Sequence, residues 1–316
     1  MSKDCNLVPS EIYREQLGRR YGNDVAMLFT EPDLWHRRIV HSEGDKVPVI
    51  PYVRPVLVRG RPTLYVPGFT ESIVAKAAFA AELAEHRVDV ILPGQNRHKI
   101  LHDADGKKNA TETQARNYLS VLKSANPNRV PVNVITHSYG SLIFDAMHRL
   151  AEQNEENWFD DSKVIMLAPA GTNEDETLPS LGKRFVRSFL GEAKTPKEFP
   201  DDSKDMMKAG MRVLRSNVPR AVREVVALAH QRVDYDRLLS SNIAMLAIAG
   251  YAEDELYSHQ VLETTIGGRN LLDKGLVYFT PISLEQPLAT GRGASHNDEQ
   301  FNPSRVAGAV AELLAA

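Results

Sequence analysis

Val134-Ile135-Thr136-His137-Ser138-Tyr139-Gly140-Ser141 runs from a β-branched segment straight into a helical pattern, with Ser138 at the corner between them. Val134, Ile135 and Thr136 suit a strand buried on both faces. A sharp strand-to-helix turn at Ser138 would hold its hydroxyl out of the sheet, with Gly140 letting strand and helix approach closely. The N-terminus of the following helix would turn backbone N–H groups and the positive end of its dipole toward a developing oxyanion. Ser138 could also open the helix simply as its N-cap. Thr136 is a β-branched residue where the close approach would favour glycine, so it calls for a slightly wider gap.

Outward from this corner, short apolar runs recur between helical stretches. The runs are Thr63 to Val66, Val88 to Leu92, Val132 to Ile135, Val164 to Leu167, Ile243 to Ile248 and Leu276 to Phe279. Helices are predicted over Glu71 to His86, from Thr111 through Leu122, over Ser141 to Glu152 and over Pro303 to Ala315. Thr111 and Gln114 have the spacing of a capping box. Strand alternating with helix predicts an α/β fold built on a mostly parallel central sheet. Trp35 to Val40 and Val56 to Val58 read as an antiparallel ribbon added at one edge.

The stretch 171–241 breaks the rhythm with helical patterns and no strand. Val222, Val225, Val226 and Ala229 form one stripe; Phe185, Phe189 and Leu190 form a shorter one. It reads as a helical cap or lid inserted into a core of 1–170 and 242–316, placed over the carboxyl ends of the strands. Between Lys183 and Arg223 eleven basic residues face five acidic ones, a net of +6. Solvated helix faces account for such a run; a lid that attracts an anionic substrate or touches a membrane surface is the sharper reading.

A serine nucleophile needs a base, an orienting acid and an oxyanion hole. The hole is expected from the backbone N–H of Tyr139 and that of Phe69, in the loop Pro67-Gly68-Phe69-Thr70-Glu71 after the run at 63–66. Strand order places the base beyond the last long run, where His296 sits in Gly291-Arg292-Gly293-Ala294-Ser295-His296-Asn297-Asp298, with His259 as the alternate. The acid is expected after Ile243 to Ile248, in Glu253-Asp254-Glu255. Asp254 is preferred for its short side chain, Glu253 is second and Asp175 third.

Composition narrows the field. The 316 residues are 42 % hydrophobic and 25 % charged, as in a soluble globular protein, and the net charge of −3 gives no reason to expect nucleic acid. The lone Cys5 excludes an internal disulfide. No run of about 18 uncharged apolar residues could span a membrane, and the polar start points to the cytosol. Neither a Gly-rich dinucleotide fingerprint nor a P-loop follows an early strand, and no His-x-x-x-His pair suggests zinc, so neither cofactor nor metal is expected.

Over residues 35–315 the chain resembles the α/β-hydrolase superfamily. Thr136 to Gly140 is similar to its nucleophile elbow and Pro67-Gly68-Phe69 to its oxyanion loop. Leu167 to Gly171 is similar to the entry to its lid, Ala249 to Leu256 to its acid loop and Ser295-His296-Asn297 to its histidine loop. Thr136 replaces the usual glycine, and Pro67 stands where many members carry histidine. The resemblance implies the α/β-hydrolase fold and a Ser138-His296-Asp254 triad. It also implies esterase, lysophospholipase or monoacylglycerol-lipase-like activity on a small carboxylic ester with an apolar part. An acyltransferase, a thioesterase, a C–C hydrolase and a non-catalytic ligand-binding member share that fold.

Overall fold

A computed structural model describes residues 32–41, 49–69, 71, 73–94, 109–172, 177–192, 218–251, 254, 256–257, 262, 277–282, 296, 299 and 302–316. Its centre is the strand that precedes Ser138. Asn133–His137 (β5) is buried along its whole length, and Val134 and Ile135 are fully excluded from solvent. Their branched side chains fill both faces of the pleat, as a central parallel strand requires. β5 lies between Thr63–Val66 (β3) and Lys163–Leu167 (β6), with Val66 opposite Thr136 and His137 opposite Leu167.

The full sheet has the order β1-β2-β4-β3-β5-β6-β7-β8, where β1 is Trp35–His41, β2 Val49–Pro55, β4 Val90–Pro93, β7 Met245–Tyr251 and β8 Val277–Ile282. Strands β3 to β8 pair in parallel; β1 and β2 form the antiparallel edge. The edge ribbon is as expected, but its second strand is Val49–Pro55 rather than Val56 to Val58. Pro51 and Pro55 mislead a reading of that segment, because proline is a poor ladder donor yet is tolerated near an edge.

Among the described residues, four helices flank the sheet in two packed pairs. Ala77–Glu85 (α1) lies against Pro303–Ala315, and Ala110–Ala125 (α2) against Gly140–Gln153 (α3). α1 is shorter than predicted: a 3-10 turn at Val74–Lys76 precedes it, and Glu71 lies outside the helix. α2 starts at Ala110, because the Asn109 side chain accepts from the Glu112 N–H at 3.1 Å, displacing the expected Thr111–Gln114 capping box. Thr111 instead meets the Tyr139 hydroxyl at 2.8 Å.

Between β6 and β7 the described residues form three helices, Leu178–Glu192 (α4), Val218–His230 (α5) and Tyr235–Ser240 (α6). The stripe on α5 is turned from the one expected. Ala227, Leu228 and Ala229 are buried, while Val222 and Val226 face outward. The side chains of Phe189 and Leu190, and most of the basic run from 183 to 223, lie outside the described residues. The final helix, Pro303–Ala315, is α7; it buries Val306, Ala307 and Val310.

Chain order reverses at β3 and β5: β4 lies on one side of β3, and β5, β6 and β7 follow on the other. In open α/β sheets the crevice at such a switch point, outside the carboxyl ends, takes the ligand. Gly140 makes the crossing there possible. A methyl group on Gly140 would stand 2.1 Å from the Val66 carbonyl oxygen, an immovable backbone atom. Gly140→Ala should therefore cost about 3 kcal/mol or more of stability, the upper end of overpacking. The expected result is a large fall in the urea midpoint, and an unchanged midpoint would contradict the contact.

Candidate active site

Ser138 sits at the carboxyl end of β5 with φ of 50°, in the left-handed region that a non-glycine residue enters only when its surroundings hold it there. Three backbone bonds do so. The Ser138 N–H donates to Leu167 O at 3.0 Å, and the Ser138 carbonyl accepts from Ser141 N and Ala170 N, each at 3.1 Å. The helix N-cap is Tyr139, with no side-chain capping bond, so Ser138 does not serve as the cap. Thr136 fits the crowded corner because its hydroxyl pairs with that of Ser141 at 2.8 Å, with both residues fully buried. Polar satisfaction across the turn takes the place of the smallest side chain.

The structure brings Asp254 and His296 together. Asp254 Oδ2 lies 2.7 Å from His296 Nδ1, and Oδ1 accepts from the N–H groups of Leu256 at 2.7 Å and Tyr257 at 3.0 Å. Both side chains are buried, at 3 % and 5 % exposure. An acceptor-only carboxylate makes Nδ1 the protonated nitrogen, so the neutral ring carries its lone pair on Nε2. Among the described residues no hydrogen bond joins the Ser138 hydroxyl to this imidazole. The His296 ring does reach the elbow, with its centroid 4.9 Å from that of His137. The Tyr257 ring packs on the other residues of this corner, 5.8 Å from His296 and beneath the Arg184 guanidinium. Burial first, and the charge of Asp254 with it, pushes the Tyr257 hydroxyl up, so it stays protonated.

The loop at 67–69 lies directly beside the elbow. A methyl on Gly68 would stand 3.1 Å from both Nδ1 and the carbonyl oxygen of His137, closer than most side chains tolerate. The Gly68 N–H donates to Glu71 Oε2 at 2.6 Å. Phe69 packs edge-on against Phe185 of α4, centroids 6.0 Å apart, and Arg184 donates to Leu256 O at 2.8 Å. The first helix after β6 thus leans on both the 67–69 loop and the segment after β7. Glu253, Asp175 and His259 lie outside the described residues.

Below the surface is a cluster that the sequence reading did not single out. Lys76, wholly buried, bonds Glu71 Oε1 at 2.9 Å and Glu299 Oε1. His137 Nδ1 lies 2.5 Å from Glu71 Oε1 and 3.3 Å from Glu299 Oε1, and its Nε2 meets the His296 carbonyl oxygen at 2.8 Å. The Tyr65 and Tyr251 hydroxyls donate to Glu71 and Glu299 at 3.3 Å and 2.8 Å. The ligand-type atoms of Glu71, His137 and Glu299 lie within 4.8 Å of one another, but the Lys76 ammonium already stands between the two carboxylates as their cation. One sequence signal existed: Lys76 is the lone charge in the apolar run from Ile73 to Ala81. Glu299 had none.

Against known proteins, no family model and no curated sequence matches the chain. Solved structures do. An esterase from Thermogutta terrifontis, seen with malate bound, is 15 % identical, with a TM-score of 0.58 over 89 % of this chain and 98 % of its own. A bromoperoxidase from Bacillus anthracis is 11 % identical, with 0.62 over 89 % and 100 %. The esterase RhEst1 from Rhodococcus sp. ECU1013 is 14 % identical, with 0.57 over 89 % and 98 %. The strand order, the left-handed serine after β5 and these neighbours agree: the chain has the α/β-hydrolase fold. No helix among the described residues is long and apolar enough to cross a membrane.

Burial alone would push the Glu71 carboxyl up, but the Lys76 ammonium and the His137 ring outweigh it and hold that carboxyl well below the usual range. A carboxyl depressed from about 4.3 contributes stability that is whole above about pH 5 and fades as pH falls. Glu71→Gln should therefore lower the melting temperature most at neutral pH. Its deficit against the parent should shrink toward about pH 3; a deficit independent of pH would contradict the charge pairing.

Proposed function

We propose that the protein is a serine hydrolase that cleaves carboxylic esters through an acyl-enzyme. The observation that carries this reading is the 2.7 Å Asp254–His296 contact beside a left-handed Ser138 at the switch point of the sheet. With Nδ1–H donated to Asp254, His296 Nε2 is the base that takes the Ser138 proton as Oγ attacks the carbonyl carbon. The C–O π bond opens to an oxyanion, which the N–H groups of Phe69 and Tyr139 stabilise. Collapse expels the alcohol, protonated by His296, and leaves the acyl group on Oγ. Water, deprotonated by the same ring, then attacks, and the acid leaves as Ser138 recovers its proton. In the reacting complex the Ser138 hydroxyl donates to His296 Nε2.

The insertion at 171–241 serves in this reading as the lid. The Phe69–Phe185 contact supports an apolar acyl or alcohol part lying near the oxyanion loop. The neighbours titled esterase support the ester class.

Ser138→Ala should abolish turnover of short p-nitrophenyl esters together with fluorophosphonate labelling; labelling that persists would remove Ser138 from the chemistry. Asp254→Asn, which offers the imidazole the wrong tautomer, should lower kcat about 10⁴-fold. A loss under about tenfold would reassign the orienting acid. An alcohol acceptor added to the assay separates hydrolysis from acyl transfer by the ester it yields.

A further inference from the structure

His137 accepts nothing. Its Nε2 faces the carbonyl oxygen of His296, which can only accept, so Nε2 carries a proton. Its Nδ1 faces Glu71 Oε1 at 2.5 Å. Glu71 is surrounded by donors: Gly68 N–H and the Tyr65 hydroxyl on Oε2, and the Lys76 ammonium on Oε1. A carboxyl so placed is ionised, and Nδ1 must donate as well. The buried group is then two carboxylates, Glu71 and Glu299, against two cations, Lys76 and an imidazolium at His137. The set is neutral as a whole, which is how charged side chains with 4 % exposure or less are tolerated.

Each member ends on a different part of the proposed catalytic apparatus. Glu71 fixes the Gly68 N–H, one residue before the expected oxyanion donor Phe69. His137 is covalently joined to Ser138 and holds the main chain of His296. Glu299, three residues beyond His296, is tied to Lys76 at the start of α1 and to Tyr251 at the end of β7. Resting on the serine-hydrolase reading, we propose that Glu71, Lys76, His137 and Glu299 are positioning residues. Through a doubly protonated His137 they set the oxyanion loop and the His296 backbone relative to Ser138. Among the described residues, the charged or titratable groups facing the His137 ring are Glu71, Glu299 and His296, with Lys76 reaching it through the carboxylates.

The test has two arms on the full chain. In the first, ¹⁵N-histidine spectra are recorded at neutral pH, with His137 assigned by difference from His137→Asn. Both ring nitrogens should show the imidazolium signature and bear slowly exchanging protons; a neutral tautomer would overturn the assignment. In the second, Glu71→Gln and Glu299→Gln are assayed after circular dichroism shows them folded. A positioning role lowers kcat and the rate of fluorophosphonate inactivation about 10- to 100-fold, since small misplacements of reacting groups cost that much, with KM moving less than about twofold. Folded variants with parental kcat would overturn the proposal. Variants that fail to fold leave the decision to the spectra. Failure of the hydrolase reading looks different: the parent itself then shows no Ser138-dependent turnover or labelling, whatever the state of His137.

Discussion

The left-handed backbone at Ser138 is the constraint around which the rest is arranged. A non-glycine residue in that region costs about 1–3 kcal/mol, so it persists only where neighbours leave no alternative. Here β6 supplies them: Leu167 accepts the Ser138 N–H, and Ala170, just past the strand, donates to its carbonyl. On the other side, Gly140 lets α3 come down onto the Val66 carbonyl. β3, β5, β6 and α3 must all be in register before that single residue can hold its conformation. A corner determined this strongly is also a rigid place for a hydroxyl.

Much of this was legible in the residues. β-branched runs located six strands of the parallel sheet, since a strand buried on both faces has little freedom in composition. Ser138, the loop at 67–69 and Asp254 could be singled out because each falls just beyond a strand end, and His296 because it follows the last strand in chain order; the structure sets Asp254 against His296. The errors fall where local pattern competes with tertiary context. Val222 and Val226 have helical spacing yet face outward, because periodicity fixes a stripe but not the neighbour it meets. Thr111 and Gln114 have capping spacing, but Asn109 reaches the free N–H first. The buried charges were invisible for another reason. Glu299 meets Lys76 across 223 positions of sequence, and a lone carboxylate in a polar loop looks like any solvated one.

The cluster also bears on how such a site tolerates its own polarity. Buried ion pairs contribute little net stability, because desolvation consumes most of the attraction, yet breaking one is costly. Such groups lock a geometry more than they deepen a well. That suits loops whose relative placement must be fixed, and it fits a cluster that holds backbone at Gly68 and His296 and lays the His137 ring against that of His296.

The lysine at the head of α1 meets one of its two carboxylates 223 positions further along the chain. The contact therefore joins the segment before α1 to the segment before α7 by charge rather than by apolar packing. The nearer carboxylate, Glu71, gives the ammonium a partner within the same loop, and Glu299 adds the second. Two stretches far apart in the chain are thus held by one buried cation, and neither can shift without uncovering a charge.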